Sequence, residues 1–337
     1  MKKEINWLCV CFSIVVLSAP ACKKNNSFIV TPANVYIAGS TAYSATVWNN
    51  NQANYLTTDS ISSATSIFVS GNDVYVGGAI FITGFGNVPV YWKNGNANFL
   101  SLPDSTNTVG IVNSIFVSGT DVYAGGSAGN MVADSTTYAV VWKDGAISIL
   151  DSIPLFDSVS SIPCSVNSMY VSGSNVYAAG YGHNGACYWN NGNSTALATD
   201  LNTLANALFV SGSDIYVAGQ QTDSAFSVAT YWKNGTPGNL TVAANSNSIC
   251  RSVFVSGSDV YVCGNQMVNG ATVATYWKNG TPVIVGTASG NSDAYSIFVK
   301  GNDIYVSGKI NDAACYWKNG TETLLTQPAV ANSLFVQ

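Results

Sequence analysis

At 337 residues, with 47% hydrophobic and only 9% charged side chains, the chain lies far below the roughly 25% charge of an average globular protein, which argues against disorder and predicts segments buried on both faces. Its formal charge is −5, and removal of Lys2, Lys3 and Glu4 leaves 10 basic against 16 acidic residues, a net −6, with no basic cluster after Lys23 and Lys24. Nucleic acid is therefore a poor candidate partner.

Residues 1–21, MKKEINWLCVCFSIVVLSAPA, combine a basic start, an apolar run and small residues before Cys22, the pattern of an export signal. The apolar run is about a dozen residues, short of the about 20 that span a bilayer. Ala19-Pro20-Ala21 suits ordinary signal peptidase, while Cys22 resembles the acylated cysteine of bacterial lipoproteins, although Ala19 stands where that motif usually has Leu. Lipidation of Cys22 is the favoured reading, with residues 22–33 as a polar tether and residues 34–337 as the folded domain. The expected location is the cell envelope, lipid-anchored at the outer membrane on its periplasmic or surface side.

From residue 27 onward two phrases alternate. SIFVSGNDVYVGG (66–78) has near-copies at 114, 168, 207, 252 and 296, with a degenerate first copy at 27–39. A second phrase follows each time: VWNNN at 47, YWKNG at 91, VWKDG at 141, YWNNG at 188, and YWKNG at 231, 276 and 316. SLFVQ at 333–337 repeats only the first five residues of the opening phrase. The count is seven units and one spare strand.

Within a unit, the SIFVS and DVYVGG segments are β-branched and aromatic runs joined by Gly-Asn, Gly-Thr or Gly-Ser, and Asn-Gly or Asp-Gly follows the Trp segment, so two hairpins give four antiparallel strands, A to D. Seven such units predict an all-β, seven-bladed β-propeller. The lone A-type strand at 333–336 would close the ring by completing the first blade, in preference to 27–30, where Pro32 replaces the hairpin Gly. A monomer is expected. Hydrophobic strand B ending in Gly77-Gly78 or Gly125-Gly126, followed by Tyr91-Trp92, resembles kelch repeats, and the chain is similar as a whole to the repeat lipoproteins of Bacteroidota-type bacteria, which implies a propeller but no ligand.

Trp48, Trp92, Trp142, Trp189, Trp232, Trp277 and Trp317 occur once per unit, as do Tyr36, Tyr75, Tyr123, Tyr177, Tyr216, Tyr261 and Tyr305. A ligand occupies one place, whereas a residue present in every blade serves what every blade shares, so these rings read as packing between blades. Asp73, Asp121, Asp214, Asp259 and Asp303, with Asn34 and Asn175 in equivalent slots, read as residues that satisfy hairpin amides rather than as calcium ligands. After Cys22, the cysteines Cys164, Cys187, Cys250, Cys263 and Cys315 follow no metal-ligand spacing and read as small buried residues. No metal and no cofactor is implied.

Catalysis is limited by inventory. His183 is the sole histidine and Arg251 the sole arginine, which excludes a two-histidine copper site and a sialidase-like arginine triad. A pair of carboxylates stays possible, with Glu322, the one glutamate after the leader, in a C–D hairpin. The A–B and C–D links are short turns on one end of the propeller, and the B–C and D–A links on the other end vary most in length. The longest inserts, at 79–90, 127–139 and 151–167, nominate Phe81, Phe85, Asp134, Tyr138, Phe156 and Asp157 as binding residues. The expected function is a non-catalytic scaffold binding a protein or glycan through that face. A carbohydrate-active hydrolase or lyase with a carboxylate pair there is the alternative, and a structural spacer is the third reading.

Overall fold

A computed structural model describes residues 33–41, 43–103, 108–130, 136–154, 162–198, 202–223, 225–238, 240–244, 246–286 and 290–337. The leader, Cys22 and the first A-type copy at 27–30 lie outside them. Ala33–Gln337 forms one compact unit.

The unit is a ring of seven four-stranded antiparallel blades. Blade two shows the plan: strand A is Ser62–Ser70, B is Asp73–Ile82, C is Gly86–Lys93 and D is Asn96–Phe99. The A–B link has Gly71 at φ 58 followed by Asn72, a type II′ turn, and the C–D link has Asn94 and Gly95 at φ 51 and 82, a type I′ turn. Both match the right-handed twist of the strands they join, and both require a residue tolerant of positive φ, which is what Gly-Asn and Asn-Gly supply.

Ring closure uses one long strand. Thr321–Val336 begins as strand D of blade seven, pairing Glu322 with Trp317, and runs on as strand A of blade one, pairing Val336 with Val35 and Leu334 with Ile37. The C-terminal copy therefore completes the first blade, as its closer match to the repeat predicted.

Two rings of side chains show the sevenfold closure directly. Phe68, Phe116, Tyr170, Phe209, Phe254, Phe298 and Phe335, one per A strand, form an unbroken cycle around the axis with centroids 4.7 to 5.2 Å apart, and Phe335 meets Phe68. Outside them, all seven repeat tryptophans are at most 1% exposed. Each lies against the preceding blade, as Trp92 packs with Ala38, Ala45 and Val47, and Trp48 packs across the closure seam with Tyr305 and Ala314. A buried indole of this size removes about 150–250 Å² from water, worth roughly 4–6 kcal/mol as an upper bound.

The glycine after strand B has a steric reason. At Gly78 a Cβ would overlap the carbonyl of Ser63 on strand A and touch Trp92, so the bulged A strand and the indole both need its bare backbone. The five cysteines are buried free thiols; burial pushes the Cys164 thiol up to about 12.

The inserts differ from the expectation of long loops. In blade two strand B extends to Ile82 and strand C resumes at Gly86, and in blade three strand B reaches Asn130 and strand C resumes at Thr136. Most of the added sequence lengthens a hairpin, because alternating apolar residues can continue the ladder before the turn.

Candidate functional site

The two ends of the propeller are chemically different. At the A–B and C–D end, Asp73 accepts from Asn94 Nδ2 at 2.7 Å and pairs with Lys93 Nζ at 2.9 Å, while Lys93 lies over the Tyr75 ring. Asn94 Oδ1 in turn accepts from the Val74 amide. The expectation that Asp satisfies the hairpin amide is thus corrected: the turn Asn of the second hairpin takes that amide, and the Asp holds the Asn and Lys in place. Blades three, five, six and seven repeat the Asp–Lys pair at 2.7 to 2.8 Å. Each Asp carboxyl is held below its usual value, chiefly by the hydrogen bond from its Lys. In blades one and four the Asp is Asn34 or Asn175 and the Lys is Asn49 or Asn190; Asn34 accepts from the turn residue Asn50 and Asn175 from Asn191, a neutral counterpart of the Asn94–Asp73 bond.

Toward the opposite end, every A strand carries a β-bulge. The bulged residue points its side chain at the next blade. Asn332 Nδ2 donates to Ala64 O, Asn113 to Val166 O, Asn167 to Ala205 O and Asn206 to Cys250 O, at 2.8 to 2.9 Å, and Thr65 donates to Val112 O. This girdle ties blade to blade around the axis. In blades six and seven its places are taken by Arg251 and Tyr295, and these two side chains meet each other instead, the guanidinium lying 5.0 Å from the ring centroid.

Around that substitution lies a polar cleft of about 520 Å³, lined by Asn265, Thr272, Asn291, Asp293, Lys309, Asn311 and Asp312. Asp293 stands two residues before Tyr295 on strand A of blade seven and is registered with Lys309 on strand B. Its carboxylate faces Arg251 at 3.5 Å and Lys309 at 3.7 Å, and accepts from Asn265 Nδ2. Asn291 ends the D–A link, Asn311 and Asp312 form the B–C turn, and all three line the cleft. Burial, reinforced by the Asp293 carboxylate, pushes the Tyr295 hydroxyl up from its ordinary value, so it is a protonated donor at neutral pH. A volume in the range of small-ligand sites, amides, a hydroxyl and both charge signs suit a polar, hydroxyl-rich ligand.

Of the nominated residues, Phe81 and Phe85 lie together on the extended B–C hairpin of blade two, 42% and 69% exposed. Tyr138 is half-buried against the cluster of Leu100, Val112 and Trp142 in blade three. Asp134, Phe156 and Asp157 lie outside the described residues. Arg251, Asn265, Asp293, Tyr295 and Lys309 were not among the nominations. Their signal is in the sequence: the slot before SIFVS reads Thr65, Asn113, Asn167, Asn206 and Asn332 in five copies, but Arg251 and Tyr295 in two consecutive ones. Length variation points to blades two and three, whereas the irregularity of composition lies in blades six and seven.

Neither a protein-family model nor a curated protein matches the chain. Among solved structures it is similar to a puromycin-hydrolysing peptidase of Mycobacterium tuberculosis, at 10% identity and a TM-score of 0.54, over 87% of this chain and 53% of that one. It is also similar to the acylaminoacyl peptidase of Pyrococcus horikoshii, at 11% identity and a TM-score of 0.49, over 87% of this chain and 50% of that one. A third similarity is to the periplasmic gluconolactonase of Pseudomonas aeruginosa, at 10% identity and a TM-score of 0.45, over 90% and 98% of the two chains. The chain spans about half the length of the two peptidases. At such identities the shared property is the fold, a β-propeller that enzymes also use.

Proposed function

We propose that the protein is a non-catalytic, envelope-tethered scaffold that binds a glycan at the cleft between blades six and seven. The observation that carries this reading is the break in the girdle. Four blades place an Asn at the bulge and one a Thr, to tie themselves to the next blade; Arg251 and Tyr295 give up that role and stack on each other, with Arg251 3.5 Å from Asp293, which lines a cavity of amides and charges. Such groups match ring hydroxyls as donors and acceptors, and the cleft opens on the B–C and D–A face. The kelch-like phrase and the leader at 1–21 that precedes Cys22 support the remainder of the reading, a lipid-held propeller in the cell envelope, with residues 22–33 giving the domain reach from the membrane surface.

One observation favours a second reading. Asp293 and Asp312 line the same cleft, and two carboxylates about 5–10 Å apart are the minimum equipment of a glycoside hydrolase.

The test is a screen of the purified protein against envelope and extracellular polysaccharides, beside a pull-down of envelope proteins, with Arg251→Asn and Asp293→Asn as variants. Saturable glycan binding lost in both variants, with no new reducing ends or unsaturated products, supports the scaffold. Product release removed by Asp293→Asn or Asp312→Asn would establish the enzyme. A protein partner in place of a glycan, or no partner at all, contradicts the glycan reading.

A further inference from the structure

We infer that the cleft selects an acidic glycan, taking the carboxylate of a uronic acid unit between Arg251 and Lys309. This rests on the cleft being the binding site. It comes from a census of cations. Of the eight Lys and Arg among the described residues, Lys93, Lys143, Lys233, Lys278 and Lys318 are engaged by Asp residues at the A–B and C–D end, at 2.7 to 2.9 Å. Lys300 flanks the A–B turn of blade seven on that same end. Of the remaining two, Lys309 lines this cleft and Arg251 reaches Asp293, which lines it as well. The B–C and D–A face therefore has its described cations gathered at one point.

They are also incompletely engaged. Both approach Asp293, but at 3.5 and 3.7 Å, well beyond the 2.7 to 2.9 Å of the five outer pairs. Asp293 accepts in addition from Asn265, and the Arg251 Nε is buried with no hydrogen-bond partner. Two cations thus share one carboxylate that is already taken up by an amide, Lys309 reaches the Tyr295 hydroxyl besides, and the Arg251 Nε is left over. A second carboxylate entering the cleft would complete the coordination of both cations, in charge-assisted bonds roughly twice as strong as neutral ones. Asn265, Asn291 and Asn311 are placed to take the hydroxyls of the same sugar. A neutral sugar would leave both cations as they are.

The experiment titrates trisaccharides of galacturonate and mannuronate and a glucuronate-containing tetrasaccharide, each beside its carboxyl-reduced counterpart, into the purified full-length protein by calorimetry. The expected result is that at least one acidic form binds about tenfold or more tightly than its reduced counterpart. The preference weakens as salt is raised and disappears in Lys309→Met and in Arg251→Asn. Arg251→Asn installs the residue four other blades carry at that slot, so the ring folds. Equal binding of acidic and reduced forms overturns the selectivity and leaves the glycan-binding reading standing. Failure of all three acidic forms to bind overturns the selectivity as well, and the glycan-binding reading is then decided by the wider polysaccharide screen.

Discussion

Arg251 and Tyr295 occupy the same bulge position in adjacent blades and stack on each other, 5.0 Å from guanidinium to ring centroid, where four other blades have an asparagine bonded to the carbonyl of their neighbour. The ring does not need the pair. A cation over an aromatic face contributes about 0.5–1 kcal/mol when exposed and about 2 when desolvated, and an amide-to-carbonyl bond contributes about 1 kcal/mol. Arg251→Asn is therefore expected to change unfolding free energy by no more than about 1 kcal/mol in urea titrations, while ligand binding falls. A large loss of stability would make the pair a structural substitute for the girdle.

Trp48 is the indole that crosses the seam between the first and last blades. Trp48→Ala should cost about 3–5 kcal/mol, the range for emptying a buried Trp site, and deletion of 333–337 should abolish cooperative unfolding, because it removes strand A of blade one together with Leu334, Phe335 and Val336. Circular dichroism through a urea titration measures both. A truncated chain that still unfolds in one sharp transition would contradict closure by the C-terminal strand.

Two glycines of one blade should respond very differently to alanine. At Gly71, with φ 58 and no atom within 4 Å of the methyl that alanine would add, the cost is conformational, about 1–2 kcal/mol. At Gly78 the methyl meets the Ser63 carbonyl and the Trp92 ring, neither of which can move away, so a loss beyond the 1–3 kcal/mol of ordinary overpacking is expected. Thermal unfolding of the two variants ranks them.

Much of this was legible in the sequence, and the reason is repetition. Seven copies of Trp and six of each hairpin Gly average out local accidents, so blade number, strand pairing and the closing strand 333–336 could be read from spacing alone. The role of Asp73 could not, because its partners Lys93 and Asn94 belong to the second hairpin and only the pairing of strands B and C brings them near. The cleft was missed for a related reason: Asn265, Asp293 and Lys309 come from two blades, and each looks unremarkable until the axis gathers them.

The Asp–Lys pairs at the turn end predict a pH dependence. The Asp carboxyls are held below their ordinary value by their Lys partners, so their contribution is fully present above the unfolded carboxylate value of about 3.9 and is lost as pH falls through the lower folded value. Stability should be level from neutral pH to about 5 and fall below about 4. Asp73→Asn leaves Lys93 without its carboxylate, whereas adding Lys93→Asn recreates the all-Asn arrangement of blades one and four. The double variant should therefore melt higher than Asp73→Asn alone and show a smaller acid loss. The opposite order would contradict the coupling.

Hydrogen exchange of the full-length protein, with and without the tightest-binding acidic saccharide, tests the central claim that function resides where the sevenfold pattern breaks. Slowed exchange is expected, confined to 249–252, 263–268, 290–295 and 308–313. Protection instead at 79–90, around Phe81 and Phe85, with blades six and seven unchanged, would contradict it.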